Sequence, residues 1–266
     1  MKRFATLLMI PLICISVISC KGKKGKGPSE SIEDIPEQKP ITVSGMMQDS
    51  VMFPSLDAIP VRAVIYSIDS TSPVIVLCHQ ARMNNYEYAE IAPKLNKMGF
   101  NCMAVDLRSG GAMDNHQNVT YEYAVSKNLP VEFLNAEPDM IAAVNYASTR
   151  WHQPVILWGS SFSAGLALKT TAKNENVRAA VAFSPFEYEG LNLKSSIKEL
   201  NKPTFITSTE KEAGAIEKLI ADVTPGIITQ YFPDTKGTHG SKALWSSDPS
   251  NEYYWTAITE WLNTQK

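Results

Sequence analysis

The chain has 266 residues, 44% of them hydrophobic and 20% charged, which excludes a disordered or fibrous protein and allows one large α/β domain or two small ones. Its net charge of −2 argues against nucleic acid as the main partner, because binding to phosphates requires a strong basic surplus. No motif for a nicotinamide, a flavin or a metal ion occurs, and the four histidines form no pattern typical of a metal site. We therefore expect no cofactor and no metal.

The first residues have the pattern of a targeting signal. A basic head precedes an apolar run at residues 4–18, as in the signal peptide of a secreted protein. The run ends in VIS and is followed by Cys20, which resembles the lipoprotein box of bacterial envelope proteins. This resemblance predicts a signal peptide over residues 1–19 and a membrane-anchoring lipid on Cys20 in the cell envelope, with the membrane and its side left open. A plain secretory signal is the alternative. Residues 20–40, rich in Gly, Lys, Pro and Glu, are predicted to be a flexible tether.

The folded domain is predicted over residues 41–266 and begins with two strands joined by a turn around Asp57. Apolar runs at residues 73–80 and 100–107 are typical of strands that are covered on both faces. Between them, residues 86–99 carry an apolar stripe at helical spacing and are predicted to be a helix.

Two cysteines lie in these apolar runs, Cys78 near the end of the first and Cys102 near the start of the second. Neighbouring parallel strands would hold the two sulfur atoms far apart. We therefore expect two buried free thiols instead of a disulfide.

The remaining chain alternates between strands and helices. A polar loop is predicted at residues 109–129 and a helix at residues 137–149. Four more predicted strands start near Pro154, Val177, Pro203 and Gly226, with helical segments after the first and third, and a last amphipathic helix covers residues 253–265. This alternation predicts a mostly parallel twisted sheet with helices on both faces, preceded by an antiparallel hairpin.

The stretch LWGSSFSAG at residues 157–165 lies where a strand turns into a helix. Such a turn can hold a serine hydroxyl above the helix N-terminus, provided that the positions two before and two after it are small. Centring the turn on Ser161 satisfies this condition. Centring it on Ser163 would place the nucleophile almost a turn into the helix, so Ser161 is the predicted nucleophile.

A serine nucleophile needs a histidine base and a carboxylate that orients the ring. His239 lies in KGTHGSKALW just after the last predicted strand, and its small neighbours suit a ring that is presented on a loop. Upstream, the strand that starts at Pro203 leads into Glu210 and Glu212. The order serine, acid, histidine is that of the α/β-hydrolases.

From about residue 48 to the end, the chain resembles the compact, dienelactone-hydrolase-like members of the α/β-hydrolase superfamily. The stretches that carry this resemblance are VIVLCHQ, GFNCMAVDLRSGG, VILWGSSFSAG and KGTHG. The resemblance implies that Ser161 is the nucleophile, His239 the base and Glu212 the acid, with Glu210 and Glu187 as alternatives for the acid.

The resemblance also implies an oxyanion hole made of two backbone N–H groups. One is that of Phe162, and the other comes from Gln80, with Ala81 as the alternative. We expect His79 to be a structural member of its loop, and Asp106 and Arg108 to brace the sheet beside the site.

These observations predict a serine hydrolase that acts on a small or medium ester of the carboxylesterase or dienelactone type, and we expect it to be a monomer. The connection between residues 184 and 203 is too short for a large cap, and aromatic residues at 183–190, with Tyr121 and Tyr123, are candidates for an acyl pocket. The alternative is a weakly active or inactive envelope lipoprotein that keeps the hydrolase fold as a binding module.

Overall fold

The computed structural model describes residues 48–266. The predicted signal peptide, the lipid-bearing Cys20, the tether and the first residues of the predicted domain lie outside the described residues. Among the helices within this range, none is long and apolar enough to cross a membrane.

A single sheet of eight strands forms the centre of the described domain. Its spatial order is β1-β2-β4-β3-β5-β6-β7-β8, in which β2 is antiparallel to both β1 and β4 and all other neighbouring pairs are parallel. The strands are β1 Gln48–Pro54, β2 Pro60–Tyr66, β3 Val74–Cys78, β4 Asn101–Val105, β5 Val155–Ser160, β6 Val177–Phe183, β7 Thr204–Thr207 and β8 Ile228–Tyr231. The predicted sheet with its antiparallel hairpin at the start is confirmed.

Helices cover both faces of this sheet. They are α1 Ile91–Lys97, α2 Val119–Ser126, α3 Glu137–Trp151, α4 Phe162–Lys173, α5 Leu193–Ser196, α6 Glu210–Ile220 and α7 Asn251–Asn263. One apolar core contains side chains of α3, α4 and α6, and the other contains side chains of α1 and α7. Because both faces are covered, the central strands β3 and β5 are buried at every residue, as their uninterrupted apolar sequences predict.

The two cysteines lie on opposite faces of the sheet. Cys78 belongs to the core beneath α3 and α4, whereas Cys102 belongs to the core beneath α1 and α7. In the register of β3 and β4, Cys102 is opposite Ile75 and Cys78 is opposite Val105. Both thiols are free and buried, so that prediction is confirmed.

Two predicted segments differ from the structure. The helix predicted for residues 86–99 is split into a 3-10 turn at Asn85–Tyr88 and α1, because Pro93 has no N–H to continue a helix from the preceding turn. The polar loop predicted at residues 109–129 contains α2, which starts where the side chain of Asn118 accepts the N–H of Tyr121 at 2.8 Å.

Candidate active site

Ser161 lies on the sharp turn between β5 and α4. Its backbone has a φ of 60° and a ψ of −120°, a conformation that costs energy for a residue with a side chain and that lifts its hydroxyl above the helix. The turn needs a glycine two residues earlier, since a Cβ on Gly159 would lie 2.4 Å from the carbonyl oxygen of Ser163. The sequence motif therefore reflects a steric requirement of this turn.

His239 lies on the loop after β8 and faces this serine. Its Nε2 is 2.8 Å from the Oγ of Ser161, and its Nδ1 is 2.5 Å from the Oε1 of Glu212. The next residue is Gly240, whose φ of 73° belongs to the left-handed region that favours glycine. The structure thus brings together the three side chains predicted as nucleophile, base and acid.

Glu212 is held in place by the start of α6. Its Oε2 accepts the N–H of Thr209 at 3.0 Å, which completes a capping box, and the hydroxyl of Ser184 at 2.8 Å. Burial alone would raise the pKa of this carboxyl, but the hydrogen bonds from His239, Thr209 and Ser184 outweigh it and lower the pKa to about 2. Glu212 is therefore an anion at every pH at which the protein would be assayed.

The alternative residues have other surroundings. Glu210 is exposed on α6, and Glu187 accepts the backbone N–H groups of Leu193 and Lys194 at 3.0 and 3.1 Å, at the start of α5. Ser163 is buried, and its hydroxyl donates to the carbonyl of Cys78 at 2.8 Å. None of the three hydroxyl or carboxyl groups contacts the ring of His239.

The predicted oxyanion donors differ in availability. Phe162 is the first residue of α4, so its N–H has no acceptor inside the helix. The N–H of Gln80 donates to the Oε2 of Glu87 at 2.7 Å. This contact contradicts the assignment of Gln80 as the second donor, because its N–H is directed into the protein. The N–H of Ala81 has no acceptor among the described residues.

Glu87 is a buried carboxylate next to the site that the sequence analysis missed. Besides the N–H of Gln80, it accepts the hydroxyl of Ser160 at 2.7 Å, and no part of its side chain is exposed. Burial raises the pKa of Glu87 to about 7, although the two hydrogen bonds and the positive charges of Lys242 and His239 oppose that rise. The pattern YEYAE gives no sign of this burial, because the contacts come from distant parts of the chain.

His79 has the structural role expected of it. Its Nε2 accepts the N–H of Leu107 at 2.9 Å, which leaves Nδ1 to donate to the carbonyl of Gln80 at 2.8 Å. Burial lowers the pKa of His79, so the ring is neutral in this setting. The ring therefore links the loop after β3 to the loop after β4.

Asp106 and Arg108 brace these loops, as predicted. Asp106 accepts the backbone N–H of Asn85 at 2.8 Å. The guanidinium of Arg108 is buried between two carboxylates, with its Nη2 2.6 Å from Asp57 and 2.6 Å from Asp139. Such bidentate pairs fix the loops in one geometry.

The predicted aromatic pocket is only partly assembled. Phe186 and Tyr188 contact each other, and Tyr188 packs edge-on against Phe133, which stacks on the ring of Phe162 at 4.6 Å. No ring contact joins Tyr121 or Tyr123 to this cluster within residues 48–266. A cavity of about 510 Å³ lies between β1 and α3 and is lined by none of the three site residues.

No group of three or more potential metal ligands occurs within the described residues.

The sheet order and the serine at the turn from strand to helix, together with the structural neighbours, define the protein as an α/β hydrolase. A sequence model of the dienelactone hydrolase family matches residues 61–223, more than half of the chain. The chain belongs to the dienelactone hydrolase family.

Several solved structures share this fold at low sequence identity. A dienelactone hydrolase from Anabaena variabilis has a TM-score of 0.64 at 13% identity, over 82% of this chain and 98% of that one. An esterase from Pyrococcus furiosus has a TM-score of 0.59 at 16% identity, over 82% and 91%. A cold-adapted esterase from an Arctic intertidal metagenomic library has a TM-score of 0.59 at 15% identity, over 85% and 97%. A search of curated protein sequences finds no match.

Proposed function

We propose that the protein is a serine hydrolase that cleaves small or medium carboxylic esters through an acyl-enzyme on Ser161. The observation that carries this proposal is the continuous hydrogen-bonded chain from the Ser161 hydroxyl through His239 to Glu212, with contacts of 2.8 and 2.5 Å. This is the geometry required of a nucleophile, a base and a group that orients the base.

In the first half of the reaction, the Oγ of Ser161 attacks the ester carbonyl carbon while the Nε2 of His239 takes up the hydroxyl proton. The carbonyl oxygen becomes an oxyanion, which accepts the N–H groups of Phe162 and Ala81. When the carbon–oxygen bond of the ester breaks, His239 returns its proton to the departing alcohol. Water then attacks the acyl-enzyme by the same route and releases the carboxylic acid.

Glu212 supports this proton transfer without taking part in it. Its pKa of about 2 means that it stays ionised while the ring of His239 becomes positively charged. A fixed negative charge beside Nδ1 stabilises that imidazolium and keeps Nδ1 protonated, so that Nε2 is free to act as the base.

The preference for modest substrates is supported by the short connection after β6. Only α5 and a 3-10 turn at Ile197–Glu199 lie between β6 and β7, which leaves no large cap over the site. Two of the structurally similar proteins are esterases, which also supports ester hydrolysis as the proposed reaction. We propose that the protein acts as a monomer.

Labelling with a fluorophosphonate probe tests the proposed function. The full-length protein should be phosphonylated at Ser161 with loss of fluoride, and Ser161→Ala should abolish both labelling and hydrolysis of p-nitrophenyl butyrate. Ser163→Ala is the matched control, because this neighbouring hydroxyl has no contact with His239, and its label should still map to Ser161. A wild-type protein that is neither labelled nor active would favour the binding-module alternative.

We further propose that the protein is anchored to a membrane of the bacterial envelope by a lipid on Cys20. The motif at the end of the apolar run supports this location. Metabolic labelling with a palmitate analogue should mark the wild type, and Cys20→Ala should remove the mark. An unlabelled wild type would contradict the anchor and favour a plain secretory signal.

A further inference from the structure

Glu87 connects the three loops that carry the site. Its Oε2 accepts the N–H of Gln80 in the loop after β3, and its Oε1 accepts the hydroxyl of Ser160, the residue before the nucleophile. The Oγ of Ser160 in turn accepts the N–H of Ser241 at 2.8 Å, two residues after His239. One buried carboxylate therefore lies at the junction of the oxyanion loop, the nucleophile turn and the histidine loop.

The contact with Glu87 fixes the peptide before Gln80, and two further contacts orient the peptide after it. Glu87 fixes the direction of the Gln80 N–H, while the carbonyl of Gln80 accepts the Nδ1 of His79 at 2.8 Å and the N–H of Met83 at 3.3 Å. In a trans peptide the C=O and the following N–H point in opposite directions, and no cis peptide occurs among the described residues. The N–H of Ala81 therefore points away from the His79 ring and remains without an acceptor.

We propose that Glu87 is a positioning residue that sets the oxyanion hole: by binding the N–H of Gln80 it turns the N–H of Ala81 towards the substrate oxygen, and through Ser160 it holds that donor in register with Ser161. This inference rests on the proposed serine-hydrolase function. Glu87 has no contact with Ser161 or His239, so it acts through the backbone of its neighbours.

Two variants separate the effect of the side-chain length of Glu87 from the effect of its ability to ionise. Glu87→Gln keeps the side-chain length and an oxygen for the N–H of Gln80, with its amide NH₂ towards Ser160. Glu87→Asp keeps the ionisable carboxyl group but withdraws the acceptor by one methylene. With p-nitrophenyl butyrate, we expect Glu87→Gln to keep kcat within about threefold of the wild type. For Glu87→Asp, kcat should fall by roughly 10- to 100-fold at unchanged KM, less than the 10²–10³ that outright loss of a donor costs.

Glu90→Gln is the matched control. Glu90 lies in the same segment and its carboxylate also accepts two hydrogen bonds, from the N–H and the hydroxyl of Ser246, but it contacts neither Gln80 nor Ser160. Its kcat should equal that of the wild type. Three outcomes would overturn the proposal: equal activity of both Glu87 variants, equal loss in both, or loss in Glu87→Gln alone. None of them is expected if the length of the side chain determines where the acceptor lies.

A second measurement does not depend on turnover. In a ¹H–¹⁵N spectrum of the full-length protein, the amide proton of Gln80 should resonate downfield in the wild type and in Glu87→Gln, because it is bonded to a side-chain oxygen. It should move upfield in Glu87→Asp, together with the Ala81 amide. An unmoved Gln80 amide would refute the positioning role even in an active enzyme. A moved amide in a protein that the fluorophosphonate does not label would instead refute the proposed function.

Discussion

Replacing Glu87 with Gln is expected to make the stability of the protein less sensitive to pH. Burial raises the pKa of this carboxyl from 4.5 to about 7, against the hydrogen bonds from Gln80 and Ser160 and the positive charges of Lys242 and His239. Between these two values the unfolded carboxyl is ionised, while the folded one still holds its proton. The contribution of Glu87 to stability is therefore fully present below pH 4.5 and is lost as the pH rises through about 7.

The size of this effect follows from the two pKa values. A rise from 4.5 to about 7 corresponds to about 3 kcal/mol in the free energy of unfolding. Because Gln cannot ionise, the Glu87→Gln variant should not show this pH-dependent loss in the free energy of unfolding. Its free energy of unfolding relative to the wild type should therefore increase by about 3 kcal/mol between about pH 4.5 and about pH 8.

Urea unfolding followed by tryptophan fluorescence at several pH values measures this difference. Glu90→Gln is again the control, because the hydrogen bonds from Ser246 lower the pKa of Glu90, so its contribution does not change above pH 4.5. Curves of unfolding free energy against pH that run parallel for the wild type and Glu87→Gln would refute the assignment of a raised pKa to this buried carboxyl.

Three further changes test the site and its supports. Glu212→Gln should lower kcat by roughly 10⁴, as the analogous change does in a serine protease. The fold should stay intact, because Gln also completes a capping box. Glu210→Gln should leave kcat unchanged, and comparable losses in both variants would contradict the assignment of Glu212 as the acid. Gly159→Ala should lower the rate of fluorophosphonate labelling by roughly 10², since the new Cβ would lie 2.4 Å from a carbonyl oxygen of α4 and would shift the nucleophile. Labelling at the wild-type rate would contradict the steric requirement at Gly159. Arg108→Met should reduce the free energy of unfolding in urea by about 3–5 kcal/mol, because it leaves the buried Asp139 without its cation; an unchanged midpoint would show that the pair is dispensable.

Much of the fold could be predicted because its strands are covered on both faces. Uninterrupted apolar runs such as those of β3 and β5 have few alternatives in a chain of this composition, and the alternation with helices then implies a mostly parallel sheet. The helix α2 was missed because its apolar residues are spread around the helix instead of forming a stripe on one face. The cap residue Asn118 was the one available signal.

The three residues at the centre of the site could be located from local sequence because each depends on a local device. Ser161 requires small neighbours in its turn, Glu212 occupies the third position of a helix that Thr209 caps, and His239 precedes a glycine with positive φ. These devices leave traces within a few residues of the group that they position.

The sequence did not indicate that the N–H of Gln80 is already bonded, because its acceptor is buried by residues far away in the chain. The N–H of Gln80 donates to the carboxylate of Glu87, and Glu87 contacts Ser160 and Trp245, which follow it by 73 and 158 residues. The pattern of charges in YEYAE would equally suit a solvated helix face. Only the folded structure distinguishes a buried Glu87 from one that is exposed to solvent.

The two carboxylates of the site have their pKa values displaced in opposite directions, and this difference separates their proposed roles. Glu212 shares its oxygens with an ionisable ring and two further donors, which outweigh burial and keep it ionised beside the positive charge that would form on His239. Glu87 has only neutral hydrogen-bond donors, so burial dominates and keeps it largely protonated below about pH 7. A permanent negative charge at Glu87 would lie beside the donors of an oxyanion and oppose its formation, whereas a neutral carboxyl can orient the same backbone without that cost.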